Sequence, residues 1–153
     1  MTHLISKLLQ VLAGKTLATA ESCTGGMIGQ LITAVPGSSN VYKGGVISYT
    51  NEIKQKLLGI DEELLDREGA VSAPVAKAMA KGARRALGAD IAVSVTGLAG
   101  PGGDDRGNPV GTVYIGYADE KGAEAFSYCF AGDRDSVRNQ ATEAALQILL
   151  SRN

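Results

Sequence analysis

An α/β fold of three layers, with helices on both faces of a mostly parallel (mixed) central sheet, is predicted by two observations. Segments of helical and strand periodicity alternate along the 153 residues. Three strands also run straight into turns of special composition, at Glu21–Gly26, Thr50–Lys54 and Gly97–Gly103. In sheets of this kind ligands bind outside the carboxyl ends of the strands. The three turns are therefore expected to meet at one edge. No linker, repeat or low-complexity segment divides the chain, so residues 1–153 read as one domain.

The elements follow in order. Leu4, Ile5, Leu8, Leu9 and Leu12 are spaced for a helix over 4–13, which Gly14 can end. Lys15 to Ala20 reads as a strand. After the Glu21–Gly26 turn, Met27, Ile28, Leu31, Ile32 and Val35 resume helical spacing. Pro36-Gly37-Ser38-Ser39-Asn40 is turn chemistry. A second strand ends at Ser48-Tyr49, and Asn51 is the expected N-cap of a helix holding Lys54 in its first turn. Gly59-Ile60 breaks that helix, and 61–67 forms another turn or two. Ser72 caps a longer helix with Pro74 in its first turn, ended by Gly88. Asp90 to Thr96, rich in β-branched residues, is the best strand. Residues 110–118 and 123–131 form a hairpin. A last helix opens at Gly132-Asp133-Arg134-Asp135.

Composition removes several function classes. A net charge of −1 supplies no basic field for a nucleic-acid backbone. Five tyrosines, two phenylalanines and no tryptophan are too few for a base-stacking platform. No apolar run reaches membrane-spanning length, and the first residues lack the pattern of a secretion signal. Cys23 and Cys129 belong to no metal or redox spacing. A soluble cytoplasmic protein is expected, with no metal, no cofactor, no nucleic-acid partner and no membrane partner. A small-molecule nucleotide substrate and a homo-oligomer are the partners expected, with the number of subunits left open. The single histidine, His3, lies at the extreme N-terminus, which argues against Ser-His-Asp and Cys-His catalysis.

The 97–109 loop has five glycines and two prolines, too much special composition for a connector. It is not a phosphate-binding P-loop, because Gly103 stands where the lysine belongs. Taken alone, Lys54 reads as a solvated surface charge. Placed in a pocket at a partly positive helix N-terminus, its amine is pushed toward the neutral form, which is a base. A neutral lysine can accept the proton of a serine hydroxyl. Spacing does not choose among Ser22, Ser38, Ser39 and Ser48 as that serine. Cys23 is a weaker candidate nucleophile, because no histidine accompanies it.

Several segments together, in chain order, resemble the CinA C-terminal domain family of nicotinamide-nucleotide amidohydrolases. They are Ala20-Glu21-Ser22-Cys23-Thr24-Gly25-Gly26, Pro36-Gly37-Ser38-Ser39, Gly45 to Lys54, Gly69-Ala70-Val71-Ser72, Ser94 to Pro101 and Gly132-Asp133-Arg134. The resemblance implies hydrolysis of the carboxamide of nicotinamide mononucleotide (NMN) to nicotinate mononucleotide and ammonia, in pyridine nucleotide recycling. It implies Ser39 as nucleophile, Lys54 as its base and Tyr49 as an assisting hydroxyl. Thr96 and the loop glycines Gly97, Gly100 and Gly102 would contact substrate or oxyanion, and Arg134 its phosphate. Ser22, in the Glu-Ser-Cys-Thr-Gly-Gly turn, is the rival serine; with Thr24, Gly25 and Gly26 it is placed in the pocket as a binding residue. Larger family members carry an extra N-terminal domain, so the chain resembles the stand-alone form. A non-catalytic nucleotide-binding or regulatory module on the same crevice is the competing expectation.

Overall fold

The computed structural model describes residues 1–153. Helix α1 (Thr2–Val11) leads to strand β1 (Leu17–Glu21) and helix α2 (Met27–Thr33). A 3-10 turn (Ser38–Asn40) precedes β2 (Tyr42–Ile47). Three helices follow, α3 (Asn51–Leu58), α4 (Glu62–Glu68) and α5 (Ala73–Leu87). Then come β3 (Ile91–Gly97), the hairpin β4 (Thr112–Asp119) and β5 (Gly122–Cys129), and α6 (Arg134–Ser151).

The five strands form one sheet in the order β2-β1-β3-β4-β5. β1 runs parallel to both β2 and β3, while β3–β4 and β4–β5 are antiparallel. The predicted mixed sheet with helices on both faces is what forms. One face carries α1, α2 and α6 over Leu17, Ile91, Val93, Val95 and Ile115. The other carries α3, α4 and α5 over a strand surface of small residues, Ala18, Ala20 and Ala92. The alternation along β1 explains the division, since successive side chains point to opposite faces.

Two local expectations are corrected. The cap of α3 is Thr50, not Asn51: the Thr50 hydroxyl accepts from the N–H of Ile53 at 3.3 Å, and Asn51 is already helical. Thr50 has the extended backbone a cap needs (φ −96°, ψ 160°), so its side chain reaches the free donors first. The turn predicted at 36–40 tightens into a short 3-10 helix after Gly37, whose φ of 88° turns the chain.

The smaller face packs close. A Cβ at Gly82 on α5 would lie 2.2 Å from the Leu58 carbonyl oxygen at the end of α3. Gly82→Ala is therefore expected to destabilise the protein by about 2 kcal/mol, because backbone cannot yield as a flexible side chain does. Urea unfolding checks it; an unchanged midpoint would mean that α3 and α5 can move apart.

Candidate active site

A pocket of about 310 Å³ opens at the carboxyl ends of the parallel strands. Ser22 and Cys23 enter it from the turn after β1, and Tyr49 and Lys54 from the junction of β2 and α3. Thr96 to Gly100 and Gly102 enter from the end of β3, Ala70 and Val71 from the α4–α5 connection, and Arg134 from the first turn of α6. Topology puts it there. From β1 the chain goes to β2 on one side and then crosses back to β3 on the other. Strand order reverses beside β1, and ligand crevices open at such points. The three turns expected to meet do meet.

Lys54 is the largest fully buried side chain of the protein, 1 % exposed. Its Nζ donates to the main-chain oxygens of Ser48 (2.8 Å) and Tyr49 (3.2 Å), and lies 3.0 Å from Ser22 Oγ. It has no carboxylate partner within salt-bridge distance. Burial pushes its pKa down from 10.5 to about 8. A Cys23 thiolate would oppose that shift. Burial also drives the Cys23 thiol up to about 11, so no thiolate is present near neutrality and desolvation decides.

The contact set fixes what a neutral amine does here. Two carbonyl oxygens can only accept, so they take both N–H groups of a neutral amine. The remaining position is the lone pair, and its neighbour is the Ser22 hydroxyl. Ser22 is itself buried, 7 % exposed, and its Oγ is also 3.5 Å from the Tyr49 oxygen. β1 ends at Glu21 and the chain bends at Ser22, whose N–H still donates to Val95 O on β3 at 3.0 Å. A serine held by the sheet thus faces a lysine held by two carbonyls.

Ser39 is not part of this arrangement. It is exposed on the 3-10 turn before β2, whereas the pocket lies beyond the far end of that strand. β2 has six residues at about 3.3 Å each. Its entry and exit therefore stand roughly 15–20 Å apart, and Ser39 has no hydrogen bond to Lys54. Ser38 shares that turn. Ser48 lies beside the pocket, but its buried hydroxyl makes no hydrogen bond, and only its carbonyl meets Lys54.

Other expected site residues divide in two groups. Thr96, Gly97, Gly100, Gly102, Arg134 and Tyr49 all line the pocket. The Thr96 hydroxyl is already engaged, donating to Ala70 O at 2.8 Å. The Tyr49 hydroxyl accepts from Arg134 at 3.4 Å, so it stands at the mouth rather than at the Ser22–Lys54 pair. Arg134 also donates to Gly100 O at 2.7 Å. By contrast, Thr24, Gly25 and Gly26 do not line the pocket, which corrects their placement as binding residues. They build the turn: Thr24 donates to the Glu21 carboxylate at 2.7 Å, and Gly25 and Gly26 take left-handed φ values of 60° and 102°. As for the Cys23 alternative, that residue lines the pocket, but its raised pKa leaves it an unreactive thiol.

Three groups were assigned no role from the sequence. Glu21, 2 % exposed, accepts from the N–H groups of Ile28 (2.9 Å) and Gly29 (3.0 Å) as well as from Thr24. Arg138 on α6 donates to the carbonyls of Cys23 (3.0 Å) and Thr24 (3.2 Å). Ala70 and Val71 form a wall. Only the Glu21 position carried a sequence signal, an acid just before a helix start. No group of three or more metal-ligating side chains is brought together.

The fold is a doubly covered α/β sheet whose switch-point crevice brings together a serine and a desolvated lysine. The CinA C-terminal domain model matches residues 1–152, and the chain belongs to that family. It is 49% identical over 138 residues to a nicotinamide-nucleotide amidohydrolase, PncC, of Shigella flexneri, covering 89% of this chain and 83% of that protein. A CinA-like protein of Geobacter sulfurreducens is 52% identical over 139 residues, which are 91% of this chain but 34% of that protein. The chain spans about a third of the length of such relatives. A crystal structure of a CinA superfamily protein from Escherichia coli superposes with a TM-score of 0.97 at 35% identity, covering 99% of this chain and 90% of that one.

Proposed function

We propose that the protein hydrolyses the carboxamide of NMN, releasing ammonia and nicotinate mononucleotide, with Ser22 as nucleophile and Lys54 as its base. The observation that carries this reading is the 3.0 Å approach of a carbonyl-anchored, desolvated Lys54 Nζ to Ser22 Oγ. The activity of the Shigella relative supports the choice of substrate. In the proposed reaction Lys54 takes the Ser22 proton as Oγ bonds to the carboxamide carbon. The C–N bond then breaks, and Lys54 returns the proton to the leaving nitrogen, which departs as ammonia. Water attacks the acyl-serine with Lys54 again as base, and nicotinate mononucleotide leaves with Ser22 restored. Ala99 and Gly100 line the pocket, and their N–H groups donate to no backbone carbonyl, so they are the donors assigned to the oxyanion. Arg134 at the mouth suits the substrate phosphate.

The test is ammonia release by the purified protein from NMN, nicotinamide, glutamine and the dinucleotide, without added metal. Turnover of NMN alone or best is expected. Saturable nucleotide binding with no turnover on any of them would instead establish a binding module.

The pH profile is a separate expected result. Only the neutral amine accepts a proton, and the Lys54 pKa is lowered to about 8. Activity must then rise with pH below that value and level off above it. From pH 6.5 to 7.5, kcat/KM is expected to climb about tenfold per unit. A flat profile across that range would mean that Lys54 is not the titrating base.

A further inference from the structure

We infer that Arg138 is a positioning residue for the nucleophile, acting through the backbone of the turn that carries Ser22. The inference rests on the reading of Ser22 given above. Its basis is the pattern of hydrogen bonds on that turn. Ser22 N–H is held by Val95 O on β3, and Ser22 O accepts from Gly25 N–H at 3.1 Å. The next two carbonyls, of Cys23 and Thr24, both accept from the one Arg138 guanidinium, through Nε and an Nη nitrogen. One planar fork thus fixes two successive peptide planes. In a trans peptide the N–H points opposite its carbonyl. Holding the carbonyls toward α6 therefore also sets the direction of the Thr24 and Gly25 N–H groups.

The second support is the helix that supplies the arginine. Arg134 and Arg138 are one turn apart on α6, where like charges repel. Each has a carbonyl partner in a different wall of the pocket: Arg134 takes Gly100 O in the loop after β3, and Arg138 takes the turn after β1. α6 is anchored under both by Val137 and Ala141, fully buried in the larger core. One rigid helix face thereby sets the spacing between the serine and the opposite wall. A lysine cannot replace the fork, because a single ammonium does not span two carbonyls in a fixed plane.

Displacement of a reacting group by about 1 Å costs about a hundredfold in rate. Arg138→Met is expected to lower kcat on NMN by about that factor with KM within about threefold, since no Arg138 atom lines the pocket. Arg138→Lys should fall between. In Arg138→Ala, added guanidinium ion should restore at least about tenfold of the lost rate, which a merely structural loss would not show. A second readout needs no substrate: the rate at which a fluorophosphonate labels Ser22 should fall in parallel and be rescued in parallel. If the wild type labels at Ser22 but releases no ammonia from NMN, the substrate reading fails and Arg138 is still tested by labelling. Wild-type labelling and turnover in folded Arg138→Met, or a loss that guanidinium does not rescue, would overturn the inference.

Discussion

Ser22→Ala is expected to reduce NMN turnover by at least about 10³-fold, and Lys54→Met by a similar factor. In the proposed reaction the two side chains act as one unit. Without the hydroxyl there is no nucleophile for Lys54 to activate. Without the amine, Ser22 keeps its proton, because the Tyr49 oxygen is its only other neighbour and is a carbonyl. The double variant should therefore be no slower than the worse single one, since residues that share a step are strongly non-additive. Ser39→Ala is expected to stay within about twofold of wild type, because Ser39 is exposed on the turn before β2. The comparison is decisive in either direction. Loss of turnover in Ser39→Ala with retention in Ser22→Ala would reverse the assignment. Ammonia release measured on the wild type and all four variants, with circular dichroism to verify folding, settles it.

The layered sheet, the order of its elements and the convergence of three turns were legible because each rests on periodicity or on turn composition. Lys54 was legible as a candidate for the same reason: it follows directly from a strand into a first helical turn. The choice of Ser39 failed on geometry that the predicted fold already contained. In a parallel sheet the segment entering a strand and the segment leaving it lie at opposite ends. Ser39 enters β2, and Lys54 leaves it. The serine that can reach Lys54 must leave a neighbouring parallel strand, and Ser22 leaves β1. The alternation that sends Ala18 and Ala20 toward α5 ends with β1 at Glu21, and the contact with Lys54 puts Ser22 on the side of the sheet where α3 lies. Arg138 had no such signal. Among the charges of a long helix nothing distinguished it, because its partners are main-chain carbonyls 115 and 114 residues away. Contacts to backbone leave no complementary residue type to read. The role of Tyr49 was obscured in the same way, since the atom that meets Lys54 is its carbonyl oxygen.

Glu21→Ala is expected to destabilise the protein by about 3 kcal/mol or more, lowering Tm by roughly 10 °C. Glu21 is a carboxylate buried without any salt bridge. It is tolerated there because it accepts two N–H groups of the first turn of α2 and the Thr24 hydroxyl, and because that helix end is partly positive. Alanine removes all three acceptor contacts at once. The donors left behind, Ile28 N–H and Thr24 Oγ1, belong to fully buried residues, so water cannot easily replace the carboxylate. Glu21→Gln should lose less. Its amide oxygen can serve one donor, but its NH₂ then faces an N–H that also needs an acceptor. Activity at a temperature where the variant is folded should fall too, since the turn that Glu21 ties together carries Ser22. The order expected in thermal unfolding is wild type, then Gln, then Ala. A Glu21→Ala protein melting within about 2 °C of wild type would mean that water or a shifted α2 satisfies the stranded donors. The carboxylate would then not be what holds the turn carrying Ser22 against the sheet.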